Sequence, residues 1–335
     1  MLMDWTSGYV TDVNYTFGYY RELNPYLANL ILNYSGYAVP SFSTACELGF
    51  GQGVSLNIHN AASNMKWYGT DFNPSQSAFA MQLNDRISGG AVLADDDFET
   101  FCSRDDLPQF DYIGLHGIWS WVSDANREIL VEFIRTKLKV GGVLYLSYNT
   151  NAGWSSMLPI RELLVEYSKK MTGDGTGSIS RINESLKFAK KFVDTDPLFI
   201  KSNPSIVDRM EQINKQDRQY IAHEYFNEEW NPMSFLKIQK QLINSKITYA
   251  ASADHLKSIL HLNLSNEQIE ILNEIPDTGL KQCLIDLFTN QTFRKDYWIK
   301  GPQMLTPTQR VDNLMNHQVV LTKNIADIKY TVQGV

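Results

Sequence analysis

The chain has 335 residues, 43% of them hydrophobic, which is enough for a large buried core and longer than one typical domain. Its 30 basic and 37 acidic residues give a formal net charge of −7, so no basic surface is available for a nucleic-acid partner. Cys46, Cys102 and Cys283 stand far apart without a CxxC pair. This spacing indicates reduced thiols in a cytoplasmic protein and predicts neither a disulfide framework nor a zinc site.

The N-terminal segment MLMDWTSGYVTDVNY lacks a basic stretch followed by an apolar run, so we expect it to belong to the mature protein. No apolar run approaches the ~20 residues that cross a bilayer. The first 40 residues are rich in tyrosine and carry a predicted helix from Pro25 to Tyr34. We expect residues 1–40 to form a cap over the ligand edge of the domain that follows.

Residues 41–153 alternate short apolar runs with helical stretches. The runs are STACELGF, MKWYGTDF, GAVLADDDF, FDYIGLHGIW and GGVLYLSYNT. Strands that alternate with helices imply right-handed crossovers and a parallel sheet. The fold class predicted for this part is α/β, with a doubly wound, Rossmann-like sheet of five strands.

Residues 154–335 change to segments whose apolar residues recur at three and four, which predicts a mainly helical second domain. The sequence SNEQ at 265–268 has the form of a capping box before one of these helices. One alternating run, ITYAASA at 247–253, predicts a strand that extends the sheet or packs beside it.

The strongest local signal is the turn Glu47-Leu-Gly49-Phe-Gly51-Gln-Gly53, which lies between a strand and a helix. Glycine permits the tight dihedrals and the close approach of a ligand, and the following helix presents unpaired N–H groups. A dinucleotide fingerprint requires a further glycine where the chain has Val54, so NAD and FAD are disfavoured. A nucleotide-like ligand is predicted, although such a turn also occurs as a purely structural feature.

Acidic residues follow the next two strands. Asp71 ends the second strand, where a carboxylate accepts both hydroxyl protons of a ribose. Asp95 or Asp96, after the third strand, is placed to accept a hydrogen bond from an adenine amino group. For any single member of the run Asp95 to Asp97, a solvated loop position is the competing interpretation.

With ELGFGQG and YGTDFNPSQ in this order, the sequence resembles the class I S-adenosylmethionine-dependent methyltransferases. A narrower resemblance covers nearly the whole chain. It is to bacterial methyltransferases that carry a methyltransferase regulatory domain, a group that includes lysine methyltransferases of rickettsial outer-membrane proteins. The stretches that carry it are DVNYTFGYYRELNP, FDYIGLHGIWSWV, YLSYNTNAGW, HEYFNEEWNPMSF and FTNQTFRKDYWI.

The resemblance implies S-adenosylmethionine as cofactor. It implies that the glycine turn lines the methionine part, that Asp71 lines the ribose, and that Asp95 or Asp96 lines the adenine. The cofactor-binding residues expected on this basis are Glu47, Gly49, Gly51, Gly53, Asp71, Phe72, Gln76, Asp95, Asp96 and His116.

Methyl transfer requires alignment and exclusion of water more than a dedicated nucleophile. His116, at the end of the fourth strand, is the first candidate for a base, with a structural role as the alternative, and Tyr15 is the second catalytic candidate. Aromatic faces attract an ammonium by cation–π interaction, although large aromatics are also ordinary core residues. The acceptor-side candidates are Trp119, Trp121, Tyr148, Asn149, Trp154 and His223.

We therefore expect a methyltransferase whose acceptor is a protein lysine. A cell-surface saccharide or a small metabolite is the alternative acceptor, and a non-catalytic cofactor-binding interaction module is the alternative class. No histidine pair has metal-ligand spacing on a predicted helix, so no metal is expected. Oligomerisation is left open.

Overall fold

The structure is a computed structural model that describes residues 9, 13, 16–173, 175–321 and 324–328. The catalytic candidate Tyr15 lies outside the described residues. The described part of the chain forms nine β-strands: β1 Tyr37–Ala38, β2 Thr44–Leu48, β3 Lys66–Thr70, β4 Val92–Ala94, β5 Phe110–Leu115, β6 Leu138–Asn149, β7 Ile247–Ser252, β8 Phe293–Lys300 and β9 Gln303–Met304.

Seven of these strands form one sheet in the order β4-β3-β2-β5-β6-β8-β7. The first five run parallel, whereas β8 is antiparallel to both β6 and β7. The chain starts in the middle of the sheet, moves to one edge and then returns to continue on the other side of β2. This reversal puts a topological switch point between β2 and β5, and the predicted doubly wound α/β fold is confirmed.

The described residues also form sixteen α-helices. They are α1 Pro25–Tyr34, α2 Val54–Ala61, α3 Pro74–Asn84, α4 Phe98–Cys102, α5 Asp124–Lys137, α6 Asn151–Trp154, α7 Leu158–Met171, α8 Ser178–Asp194, α9 Leu198–Ser202, α10 Ser205–Lys215, α11 Arg218–Tyr225, α12 Phe235–Leu242, α13 Leu260–Asn263, α14 Asn266–Asn273, α15 Thr278–Phe288 and α16 Pro307–Met315.

Several helix starts follow from local sequence chemistry. The Asn24 and Asn73 side chains accept from the backbone two residues on, and each precedes a proline that suits the first helical turn. Ser265 and Gln268 form the predicted capping box at α14. None of the described helices combines the length and the apolar composition that crossing a bilayer requires.

The sheet is covered on both faces. Helices α1, α2 and α3 pack with one face, while α4, α5 and α12 pack with the other. A separate cluster joins buried residues of α6 to α11, including Ile160, Leu186 and Met210. The chain after β6 therefore forms a helical layer of its own before it returns to the sheet.

The alternating run at 247–253 extends the sheet as its edge strand β7. The stretch FRKDYWI forms β8, which inserts between β6 and β7 and pairs with β6 from Val143 to Asn149. Residues on both sides of the expected boundary at 153/154 thus supply strands to one sheet. The division into residues 1–40, 41–153 and 154–335 stays a proposal.

Candidate functional site

The glycine turn joins β2 to α2 at the carboxyl edge of the sheet. Gly49, Gly51 and Gly53 all have left-handed backbones, with φ of 71°, 58° and 65°. A Cβ on Gly53 would lie 2.5 Å from the Cβ of Ala80. Only glycine adopts these conformations without strain, so the turn keeps its backbone open toward the adjoining space.

A cavity of about 260 Å³ opens above this turn. Its walls come from the ends of β2, β3 and β5, from the loop after β4 and from the chain at residues 16–20. The predicted residues that line it are Glu47, Gly49, Gly51, Gly53, Asp71, Phe72, Gln76, Asp96, His116 and Trp121. Side chains from four separate sequence segments therefore converge at the switch point, where doubly wound sheets bind their ligands.

Glu47 contributes a buried carboxylate to this cavity. Its side chain is 3% exposed, and Oε2 has no hydrogen-bond partner among the described residues. Burial and, to a smaller extent, the nearby Asp71 carboxyl together raise the pKa of Glu47 to about 8. A buried acceptor without a donor is costly, so the site favours a ligand that brings a positively charged donor.

Asp71 ends the neighbouring strand and is anchored by the turn itself. Its Oδ2 accepts from the Gly51 backbone N–H at 2.7 Å, and its Oδ1 accepts from the Asn73 backbone N–H at 3.0 Å. Burial raises the pKa of Asp71 to about 6, although both backbone hydrogen bonds act to lower it. The carboxylate is thus held rigidly at the edge of the cavity.

The structure separates the two candidates for the adenine contact. Asp96 lines the cavity, whereas Asp95 is exposed and does not. The Thr70 hydroxyl donates to the backbone carbonyl of Asp96 and fixes the loop. Asp97 also lines the cavity, but its Oδ1 is engaged as the N-cap of α4, where it accepts from the Thr100 N–H at 2.8 Å.

His116 forms the wall of the cavity opposite the turn. The Tyr20 ring stacks on its imidazole at a centroid distance of 3.8 Å, and Nδ1 lies 2.7 Å from the Tyr145 hydroxyl. Burial and, to a smaller extent, the Lys295 charge together lower the pKa of His116 to about 3. The imidazole is therefore neutral near pH 7 and a weak proton acceptor.

Three of the aromatic acceptor-side candidates do not line this cavity. Trp119 lies in the core on the α5 face of the sheet, where its indole N–H donates to Gln241. Tyr148 is fully buried and donates to Asp296, and Trp154 packs in the helical layer under Arg209. Each is held by packing and by its own hydrogen bond or cation–π contact, so the aromatic wall expected from these three residues is corrected to a core role.

Asn149 and His223 lie where α11 meets the end of β6. The Asn149 carbonyl accepts from the Met233 N–H at 2.9 Å, and the Asn231 N–H donates to the Ser120 carbonyl at 2.7 Å. His223 Nε2 lies 2.9 Å from the Val13 carbonyl oxygen. These bonds fasten α11 and the following loop to the carboxyl edge of the sheet.

This junction carries a carboxyl group beside the cavity. Burial raises the pKa of Glu224 to about 7, while the nearby Asn149 side chain and the Arg209 charge act to lower it. The Tyr9 ring contacts both Phe72 and His223. Burial raises the pKa of Tyr9, and the nearby carboxyls of Asp71 and Glu224 also act to raise it.

Sequence reasoning missed several residues that meet here. Tyr9, Tyr20, Phe98, Ile118 and Glu229 all line the cavity. Tyr9 and Glu229 are 220 positions apart and belong to no common local pattern. The FGYYRELNP stretch was one available signal, since it places Tyr20 just before α1.

The fold is that of the class I S-adenosylmethionine-dependent methyltransferases. The chain superposes on protein PKMT2 of Rickettsia typhi in complex with AdoHcy with a TM-score of 0.72 at 21% identity, covering 89% of this chain and 57% of that one. A second structure of PKMT2 from Rickettsia typhi matches with a TM-score of 0.71 at 22% identity, covering 90% of this chain and 57% of that one.

Residues 217–300 match the family described as the predicted methyltransferase regulatory domain. The uncharacterized protein sll1526 of Synechocystis is 36% identical over 99% of this chain and 66% of its own length. The uncharacterized protein RP789 of Rickettsia prowazekii is 26% identical over 82% of this chain and 49% of its own length. The chain therefore spans between half and two thirds of the length of these relatives.

Proposed function

We propose that the chain is an S-adenosylmethionine-dependent methyltransferase and that its acceptor is a protein lysine. The observation that carries the first part is the cavity at the switch point, which joins the open glycine turn to the buried carboxyls of Glu47 and Asp71. The class I fold supports it. The second part is supported by the groups at the α11 junction and by the resemblance to lysine methyltransferases.

The residues of the cavity fit this cofactor. Glu47 offers an unpaired oxygen for the amino group of the methionine part. Asp71 presents a fixed carboxylate for the ribose hydroxyls, and Asp96 lies on the side proposed for the adenine. The carboxylates of Asp71 and Asp96 would also repel a nucleotide phosphate, which favours a sulfonium ligand over NAD.

When bound, this cofactor supplies an electrophilic methyl group for in-line displacement. The chain then has to hold the acceptor, exclude water and remove a proton from the acceptor ammonium. His116 is poorly suited to the last task because its pKa is lowered to about 3. We propose that its neutral ring forms a wall of the site together with Tyr20.

Glu224 is the better proton acceptor in this proposal. Its pKa of about 7 lies near the working pH, where a general base is most effective. The carboxylate also attracts the lysine ammonium, and the neighbouring faces of Tyr9 and Tyr20 favour a cation. The side-chain amide of Asn149 lies near this carboxylate, and its Nδ2 has no hydrogen-bond partner among the described residues.

Cofactor binding is tested by calorimetric titration with S-adenosylhomocysteine and, separately, NADH. We expect binding of the former alone. Gly51→Ala should abolish it because an L residue is strained at φ 58°, whereas Gly89→Ala, at φ 72° on the open surface, should not. Binding of neither ligand would favour the non-catalytic interaction module.

The acceptor class is tested by incubating the chain with radiolabelled S-adenosylmethionine and a bacterial extract. After acid hydrolysis, label in methyllysine is the expected result. Label in a saccharide fraction or a small metabolite would overturn the lysine proposal and leave the methyltransferase standing. A chain that binds S-adenosylhomocysteine but labels nothing would favour the interaction module.

Glu224→Gln tests the proposed base. We expect the methylation rate to fall by about 10²-fold or more, the usual contribution of general base catalysis, with unchanged affinity for S-adenosylhomocysteine. Glu228→Gln, an exposed residue one turn away that pairs with Lys169, is the matched control. An unchanged rate in Glu224→Gln would remove the residue from the reaction.

The three cysteines are free thiols in the structure. We propose on this basis a reducing, cytoplasmic location.

A further inference from the structure

A second cavity of about 450 Å³ lies at the same edge of the sheet, beyond β6. It is enclosed by the end of β7, the start of β8 and the helices α13, α14 and α15. Most of its walls fall within residues 217–300, the segment that matches the regulatory domain. None of the proposed cofactor or acceptor residues lines it.

The floor of this cavity is a buried ion network centred on Arg294. Arg294 donates from Nη1 to Asp286 and from Nε to Asp296, each at 2.8 Å. Although burial alone would lower it, the pKa of Arg294 is raised by Asp296 and the other acids around it. Lys295 pairs with Glu22 at 2.8 Å. These five charged groups, two cations and three acids, are therefore paired with one another within the protein.

Two further lysines at the wall lack a carboxylate partner within the part of the chain that the structure describes. Among the described residues, no carboxylate lies within 4.0 Å of Lys257 or Lys281. The Lys257 ammonium donates instead to the neutral Gln291 amide at 3.2 Å. Burial lowers the pKa of Lys257, Asp254 raises it, and Lys295 lowers it. An anion placed here would meet two ammonium groups that have no carboxylate partner within 4.0 Å in the described part of the chain, alongside the acid Asp254.

The rest of the wall is apolar. Leu260, Leu264, Leu272, Ile285 and Phe293 line the cavity. Ligand sites typically combine such a surface with a few polar groups that fix orientation. We propose that this cavity binds a small organic anion, with its charged end at Lys257 and Lys281 and an apolar body against the leucine-rich wall.

The two cavities meet at one ring contact between their lining residues, which predicts coupling between them. Phe293 lines the second cavity, and its ring meets the His116 ring edge-on at a centroid distance of 5.9 Å. Glu22, held by Lys295, also accepts at its carbonyl from the Tyr297 hydroxyl at 2.7 Å. An occupant that moves Phe293 therefore changes the packing of His116, so we infer that it alters cofactor affinity.

The test uses 4-phenylbutyrate as the anionic probe and 4-phenylbutyramide as its neutral counterpart, titrated by ligand-observed NMR in a buffer free of phosphate. We expect saturable binding of the carboxylate and binding of the amide about tenfold weaker. Lys257→Gln combined with Lys281→Gln should weaken carboxylate binding by about tenfold or more, whereas the exposed Lys187→Gln should not.

A cavity-blocking variant, Leu260→Trp, provides a second line of evidence and should also abolish binding. Equal binding of acid and amide, or binding that survives both the double variant and the block, would overturn the site. Absence of binding at millimolar probe would do the same. Inorganic phosphate is titrated as a further probe. If it binds as tightly as the carboxylate, the cavity is a simple anion site, and the proposal that the apolar wall contributes to binding is overturned.

Coupling is measured as the affinity for S-adenosylhomocysteine with and without saturating 4-phenylbutyrate. We expect this affinity to change by about fivefold or more, and the change to be absent in Leu260→Trp, if the contact between Phe293 and His116 couples the two cavities. An unchanged affinity would overturn the coupling. Neither measurement needs an acceptor or turnover, so the outcome is independent of the lysine proposal.

Discussion

Glu47 and Asp71 place two buried carboxyls at one cavity, and each has a pKa raised by burial. Such an arrangement is unfavourable in the protein alone, since ionising both would leave two like charges in a site of low polarity. A ligand with an ammonium and donating hydroxyls removes this cost. The arrangement therefore suits binding better than it suits folding.

Asp71→Asn should weaken binding of S-adenosylhomocysteine by about 1–3 kcal/mol, which is roughly five- to 150-fold. The asparagine keeps one acceptor but removes the charge that serves the ribose and the Gly51 N–H. Calorimetric titration measures the loss. Asp95→Asn, on the exposed neighbour of the adenine loop, is the control and should bind normally. Unchanged affinity in Asp71→Asn would exclude it from the site.

Glu47 should make the protein less stable as the pH rises. Its pKa is about 8 in the folded chain against an ordinary 4.5, so between these values the folded state holds a proton that the unfolded state has lost. The free energy of unfolding should then fall with pH across this window, by at most about 1.4 kcal/mol per pH unit from this group.

Glu47→Gln removes this titration while keeping the shape of the side chain. Urea unfolding of both chains at pH 5, 6.5 and 8 should show the parent losing stability relative to the variant. Taking the difference cancels groups that titrate in the same range, such as Glu224 and Asp286. Parallel stability profiles would contradict the raised pKa.

Individual residues also differ in how far their place in the site could be predicted from the sequence. The glycine turn and Asp71 follow directly from a strand-to-helix pattern, because parallel strands bring their carboxyl ends to one edge. Trp119, Tyr148 and Trp154 look equally suitable in the sequence. Only the direction of each side chain from its strand or helix decides between cavity and core, and that depends on the neighbours it packs against.

At the scale of elements, β8 is the strand that joins the late part of the chain to the sheet. It lies between β6 and β7, and its residue Arg294 bonds to α15 through Asp286. The ion network thus links the strand, the helix and, through Asp296, the Tyr148 hydroxyl on β6. A single buried arginine holds three elements together.

Arg294→Met should therefore destabilise the fold by about 3–5 kcal/mol, because it leaves Asp286 and Asp296 buried without their cation. Denaturant unfolding gives the value. Arg135→Met is the control, since Arg135 makes an equally short pair with Glu132 on the surface and should matter little. A similar small loss in both variants would show that the buried network contributes no more than a surface pair.

At the scale of the whole molecule, the sheet is completed by strands from distant parts of the sequence. The strand β6 pairs with β5 on one side and, on the other, with β8, which follows about 150 residues later in the chain. The helical layer lies between these two passages of the chain. The cofactor-side cavity and the second cavity consequently share the same sheet edge.

A chain shortened to residues 1–153 should fail to fold cooperatively, since β6 would expose the backbone edge and the apolar face that β8 and α12 cover. Circular dichroism during thermal unfolding, with S-adenosylhomocysteine present, measures this. A chain ending at residue 306 keeps all nine described strands and should still unfold cooperatively. Cooperative unfolding of residues 1–153 would instead establish the proposed boundary after residue 153.

The sequence by itself determined the parallel half of the sheet, several of the helices and the glycine turn after β2, because these depend on local periodicity, capping residues and glycine. The fold class could be predicted from the sequence for the same reason. The insertion of β8, the contact of Tyr9 with His223 and the second cavity depended on tertiary structure alone. They arise from contacts between segments far apart in the chain, where burial, charge and packing are decided by neighbours that no local pattern specifies.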